Sequence, residues 1–254
     1  MIDDLLCIAR QAGDIILTHY NTPVDVETKS DSSPLTIADR SSHEYITAQL
    51  QKLTPDIPII SEEATLPPPS ERKGWPTFWL VDPLDGTKEF LKKTGEFTVN
   101  IGLIQDGIPT LGVVYAPATG LTFWTDGVKA WKEEKNQAPK EISAGHFDGG
   151  APTLVASRDH AGPEVKALLE RNPGASFRSM GSSLKFCLVA EGAADLYLRD
   201  VPTMEWDTAA SHAILRAAGG TLNCLSGEAL AYNKPDLKNP SIAAFRPGAE
   251  RLLA

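Results

Sequence analysis

The sequence predicts an α/β protein: an α+β half over residues 1–145 followed by an α/β half over residues 146–254. Three observations carry that reading. Two N-terminal stretches place apolar residues at helical spacing, Leu5, Ile8, Ala12 and Ile16 in one and Ile46, Leu50 and Leu53 in the other. Between residues 98 and 131, β-rich runs are cut by Gly102, Gly107, Gly112, Gly120 and Gly127, as antiparallel strands would be. Beyond residue 152, short apolar runs alternate between strand and helix character, which predicts layered α/β structure.

In chain order, the first helix is expected over 3–20. A polar stretch over 29–34 separates it from a second, over 37–53, which Pro55 and Pro58 end. A short strand over 57–60 runs into Ser61-Glu62-Glu63. Pro67, Pro68, Pro69 and Pro76 make 65–76 a surface loop. Phe78-Trp79-Leu80-Val81 is a continuous apolar run, read as a buried strand that stops at Asp82-Pro83. The polar segment 133–152 is the expected boundary between the halves. After it come strands at 153–157, 175–179 and 194–199, and helices at 163–171, 182–190 and 206–218.

With 254 residues, 42% apolar and 22% charged, the chain can bury the core of one large domain or two packed ones. Cys7, Cys187 and Cys224 are an odd, scattered set, which points to a reduced compartment and no disulfide framework. Two acids at the N-terminus replace the positive charge of a secretory signal, and no apolar run reaches membrane-span length. A cytoplasmic protein without stable membrane insertion is expected; peripheral attachment at the inner membrane stays open. The net charge of −9 disfavours a nucleic acid polymer as partner. Nothing in the sequence points to an oligomeric state.

The chemistry-bearing residues are acidic. Glu62 and Glu63, Asp82 and Asp85, and Asp207 each lie at or beside the end of an expected element, where ligands collect in α/β folds. Carboxylates brought together repel one another unless a cation sits between them. An all-oxygen set suits Mg²⁺ rather than zinc. In Asp82-Pro83-Leu84-Asp85-Gly86-Thr87, Pro83 forces a turn and the Leu84 carbonyl is a further oxygen donor. Gly86 permits close backbone approach, and Thr87 can open a helix whose N–H groups face an anion. Each piece has a plainer reading. Asp-Pro and Asp-Gly are ordinary turn chemistry, Asp39 fits a helix-start capping box, and Asp207 suits a first helical turn. Gly181-Ser182-Ser183 reads as a helix start whose free groups can also hold phosphate.

Taken together, Glu62 in Ser61-Glu62-Glu63, the Asp82–Thr87 run, and Trp206-Asp207 with a trailing Gly219-Gly220 resemble the inositol monophosphatase-like superfamily of Mg²⁺-dependent phosphatases. The resemblance covers nearly the whole chain. Lys88-Glu89-Phe90, Gly181 to Phe186, and Pro202 to Asp207 are most similar to its bacterial 3′(2′),5′-bisphosphate nucleotidases of sulfur assimilation. Arg199 stands near where inositol phosphatases carry an acid, and a cation there suits a second phosphate. Ser157-Arg158-Asp159-His160 departs from the more usual Ser-Arg-Ser-His.

The resemblance implies an αβαβα layered sandwich with the site between the halves, and lithium sensitivity. It implies two or three Mg²⁺ ions held by Glu62, Asp82, the Leu84 carbonyl, Asp85 and Asp207. Asp39 and Thr87 would polarise the attacking water, with Glu62 serving catalysis through its metal. Gly86, Thr87, Asp207, Ser182, Lys185 and Arg199, with Arg158 and His160, would bind substrate. The expected reaction converts adenosine 3′,5′-bisphosphate to AMP and phosphate without a covalent phosphoenzyme. Two other readings remain, an inositol-phosphate phosphatase and a non-catalytic sensor of metal and nucleotide.

Overall fold

The computed structural model describes residues 1–20, 26–28, 34–156 and 162–253. Helices Ile2–Tyr20 and Ile37–Leu53 form as their apolar spacing requires. The second is preceded by a two-stranded antiparallel pair, Val26–Thr28 with Pro34–Thr36. Both helices pack on one face of a seven-stranded sheet built in sequence order from Ile59–Ser61, Thr77–Asp85, Thr98–Gln105, Ile108–Ala116, Leu121–Thr125, Ala130–Glu133 and Lys140–Ile142. Its first two strands are parallel and the rest antiparallel.

Strand alternation sorts the sheet's side chains between two cores. Trp79 and Val81 join Leu5, Ile16, Ile46 and Leu50 beneath the N-terminal helices. Phe78 and Leu80 point the other way, toward helices Leu184–Ala190 and Glu205–Ala217. These two helices are covered in turn by a five-stranded sheet ordered Ser176–Ser179, Thr153–Ala156, Leu196–Arg199, Ile242–Phe245 and Thr221–Cys224. Helix Pro163–Arg171 closes the outer face through Val165 and Leu168, against Leu154, Leu196 and Leu198. The result is the expected αβαβα sandwich.

The central helix Glu205–Ala217 lies close to the seven-stranded sheet because its contact face is Ala209, Ala210 and Ala213 and the sheet offers glycine there. Gly102 and Gly112 are cross-strand partners. A Cβ on Gly102 would stand 2.8 Å from the Ala210 nitrogen, and one on Gly112 would overlap the Ala210 carbonyl. Space, rather than backbone conformation, demands glycine at both.

Several sequence expectations need correction. The strand expected to stop at Asp82-Pro83 runs on to Asp85, its pairing to Thr98–Gln105 shifting register between Asp82 and Asp85. The shift absorbs Pro83, which has no N–H for the ladder. The surface loop 65–76 contains one short helix, Pro69–Arg72, with proline at its start, where a missing N–H is harmless. Helix 182–190 begins only at Leu184, because Ser182 takes a left-handed φ of 55°. Strand Lys140–Ile142 lies inside the segment expected to separate the halves. Strands Thr221–Cys224, Lys238–Asn239 and Ile242–Phe245 were not anticipated.

Candidate active site

Asp82 and Asp85 stand at the end of the Thr77–Asp85 strand, and Gly86 turns the chain at φ 89° into helix Thr87–Leu91. A Cβ on Gly86 would need that left-handed backbone and would lie 3.1 Å from the Glu89 carboxylate. Neighbouring elements hold the turn. The Ser42 hydroxyl, on the helix that carries Asp39, donates to the Pro83 carbonyl at 2.9 Å. The Leu84 N–H donates to Asp82 Oδ1 at 3.1 Å. Glu62 follows the parallel neighbour strand, where its N–H donates to the Val81 carbonyl at 3.2 Å. His43 Nδ1 meets the Ser61 hydroxyl at 2.8 Å, fixing the residue before Glu62.

The central helix brings Asp207 to the same place from the far side of the sheet. Glu62, Asp82, Leu84, Asp85, Gly86, Thr87, Ser182, Lys185, Arg199 and Asp207 all line one cavity of about 380 Å³. Asp39 does not line it, but it is fully buried and close enough for its charge to act on Asp82. A second cavity of about 410 Å³, bordered by Trp75, Phe78 and Tyr232, has Asp106 as its lone acid. The chemistry therefore belongs to the first. Arg158 and His160 lie outside the described residues.

Burial first, then the charges of Glu62, Asp85, Asp207 and Asp39, push the Asp82 carboxyl well above its usual range. Asp207 is also raised, by burial and then by Asp85 and Glu62, although the Met204 N–H and Arg199 work against the shift. This mutual repulsion is what a divalent cation relieves, and the donors are the hard oxygens that Mg²⁺ prefers. The set therefore fits the ion chemically. As they stand, however, no three carboxylates among the described residues meet closely enough to clasp one ion. Each Asp is turned to a protein donor: Asp82 to the Leu84 N–H, Asp207 to the Met204 N–H at 2.8 Å, and Asp85 to the Ser182 hydroxyl and the Ser183 N–H at 2.7 Å.

The expected partnership of Thr87 with Asp39 is not formed. The Thr87 hydroxyl donates instead to the Leu84 carbonyl three residues back, at a weak 3.4 Å. Two polar residues missed in the sequence, Thr98 and Asn100, brace the site together with Ser183. Thr98 and Ser183 donate to the Asn100 side-chain oxygen at 3.2 and 2.7 Å, and Thr98 meets the Ser183 hydroxyl at 2.9 Å. The only signal of Thr98 and Asn100 was polarity inside an apolar run. Lys185, 5% exposed, lies beside Tyr197, its ammonium 5.6 Å from the ring centroid. Burial, with Arg199 adding to it and Asp85 opposing, lowers its pKa to about 8.

Comparison with known proteins places this geometry. A model of the inositol monophosphatase family matches residues 4–253. The 3′(2′),5′-bisphosphate nucleotidase CysQ of Escherichia coli (strain K12) is 49% identical over 235 residues, 91% of this chain and 94% of that protein. The CysQ of Haemophilus influenzae is 35% identical over 244 residues, 94% of this chain and 90% of that one. The crystal structure of CysQ from Bacteroides thetaiotaomicron, described as a bacterial member of the inositol monophosphatase family, superposes with a TM-score of 0.81 at 41% identity, covering 94% of each chain. The extragenic suppressor protein suhB of Bartonella henselae shares the fold at 23% identity and a TM-score of 0.77, covering 99% of this chain and 97% of its own. With carboxylates gathered between the two sheets and the match running almost from end to end, this chain belongs to the inositol monophosphatase family.

Proposed function

We propose that this chain is a Mg²⁺-dependent 3′(2′),5′-bisphosphate nucleotidase that converts adenosine 3′,5′-bisphosphate to AMP and phosphate. The observation that carries this is a cavity lined by five carboxylates, Glu62, Asp82, Asp85, Glu89 and Asp207, together with three cations, among them Lys185 and Arg199. Acids can gather metal against the phosphate that is cleaved, while the cations answer the phosphate that is kept. The E. coli relative's name points the same way.

In this reading residues 1–145 contribute most metal donors, and residues 146–254 contribute Asp207 and the groups that recognise the nucleotide. Glu62, Asp82, the Leu84 carbonyl, Asp85 and Asp207 would hold two or three Mg²⁺ ions. When bound, these supply charge against the phosphoryl oxygens and acidify water. The N–H groups of Gly86 and Thr87 face the anion, and the Ser182 hydroxyl would join them once released from Asp85. Asp39 serves as the buried proton acceptor. The Thr87 hydroxyl, weakly held on Leu84, must turn toward Asp39 to orient the attacking water. Arg199, whose Nε donates to the Val201 carbonyl at 3.0 Å, is fixed at the end of its strand for the second phosphate.

The test is phosphate release with Mg²⁺, with and without Li⁺, from adenosine 3′,5′-bisphosphate and from inositol 1-phosphate. Turnover of the nucleotide that Li⁺ suppresses is expected. Preference for the inositol ester would overturn the substrate reading, and tight nucleotide binding without turnover would make the chain a sensor.

Lys185 gives a pH signature. Its cation is present below about pH 8 and is lost above it, so phosphate attraction is lost in the same direction. In the free enzyme, kcat/KM for the bisphosphate should fall as pH rises through about 8. Lys185→Met should lower kcat/KM by roughly tenfold or more at pH 7 and remove that limb. An unchanged limb in the variant would assign it to another group.

A further inference from the structure

The helix that delivers Asp207 has a methionine, Met204, at its N-cap position, which brings no side-chain oxygen to the first N–H groups, while Asp207 in the first turn accepts the Met204 N–H at 2.8 Å. Helices ordinarily use Ser, Thr, Asp or Asn at that place to fix the first turn. Further anchoring comes from residues 231–239. Glu205, fully buried at the first helical position, accepts the Asn233 N–H at 2.7 Å, the Lys234 N–H at 3.0 Å and the Lys234 ammonium at 2.7 Å.

The Lys234 ammonium also donates to the Ala231 carbonyl at 2.9 Å and to Asn239 Oδ1 at 3.1 Å. An ammonium has three protons, so its donor capacity is filled. Asn239 carries the link back to the helix start through the Met204 carbonyl at 2.8 Å. From the outside, buried Arg72 locks the same loop by donating to Asn233 Oδ1, the Lys234 carbonyl and the Pro235 carbonyl at 3.0, 2.6 and 2.7 Å.

We propose that Glu205 and Lys234 are positioning residues for Asp207: their buried ion pair sets the first turn of the helix so that the Asp207 carboxylate is held over the metal site. Glu205 lies two residues before Asp207, and the two carboxylates use different donors, Glu205 the 233–234 loop and Asp207 the Met204 N–H. The pair thus acts as an outer support of the kind that commonly governs metal affinity. It rests on the reading of Asp207 as a metal ligand.

The experiment is calorimetric Mg²⁺ or Mn²⁺ binding to the whole protein without substrate, with thermal unfolding of the metal-free protein and kcat and KM measured in parallel. Glu205→Gln and Lys234→Met should weaken metal binding by roughly tenfold or more. Their KM for nucleotide at saturating metal should stay unchanged, and Lys234→Arg should restore most of the affinity. Asp207→Asn separates this inference from the ligand reading. If Asp207→Asn binds metal normally, the ligand reading fails. If Asp207→Asn loses metal while Glu205→Gln and Lys234→Met lower only the melting temperature, the pair is merely structural and the inference is overturned. Should Glu205→Gln not fold, the Met-against-Arg comparison at Lys234 decides, with equal metal affinity in the two variants overturning the inference.

Discussion

Asp85→Asn is expected to lower phosphate release by roughly 10³-fold or more, about 4 kcal/mol of lost transition-state stabilisation, while leaving the fold intact. The structure separates the two consequences. Asp85 Oδ2 accepts from the Ser182 hydroxyl and the Ser183 N–H, and an asparagine oxygen can accept both. What asparagine cannot supply is the charge that a divalent cation needs.

The same substitution should leave the metal-free protein as stable as the parent, or more so. Asp85 is among the charges that raise Asp82 and Asp207, so removing it relieves both. The sign follows from linkage. A carboxyl whose folded pKa is raised favours the folded state while protonated, and that contribution is lost as pH rises from the unfolded value through the folded one. Metal-free parent protein should therefore gain stability as pH falls from neutrality toward the ordinary carboxylate range, and Asp85→Asn should show a shallower dependence. Thermal melts with chelator across pH, beside a Mg²⁺-dependent rate assay, measure both. Normal turnover by Asp85→Asn would refute the metal scheme, and a steeper pH dependence would refute the electrostatic account.

What could be read from the sequence was what is local. The Asp82–Thr87 turn announces itself because its proline, glycine and two acids must be adjacent to do their work. The long helices are legible because one apolar face repeats along many residues. The structure added what depends on distant pairing. Ser183 reaches Asn100 across 83 positions, and Arg72 reaches Asn233 across 161, and neither Asn100 nor Arg72 has a distinctive neighbourhood in the chain. Strands Thr221–Cys224 and Ile242–Phe245 pair with each other across some twenty residues of chain. Pro83 misled because a proline normally ends a strand, whereas here a register shift accommodates it.

Gly112→Val should do the most damage of any single change outside the carboxylates, and it does so through the distance between layers. Asp82 and Asp85 ride on the seven-stranded sheet and Asp207 on the central helix, so the separation of the two elements would set the size of the proposed metal site. That separation is fixed where Ala209 and Ala210 rest on the paired Gly102 and Gly112. A β-carbon at Gly112 meets the Ala210 carbonyl, a backbone group that cannot rotate away as a side chain end would. The helix must lift, and the close packing on both its faces is disturbed at once. A cost of about 3 kcal/mol or more is expected, a fall of roughly 6–12 °C in melting temperature for a chain of this size. The Mg²⁺ concentration for half-activity should rise in whatever fraction remains folded. Gly112→Ala should give a smaller effect in the same direction. Gly174→Ala, where an added β-carbon meets nothing within 4 Å, should change neither quantity. If Gly112→Val melts and responds to Mg²⁺ as the parent does, the glycine pair does not set the spacing. If stability falls with Mg²⁺ dependence unchanged, the layer distance is not what brings Asp207 to its partners.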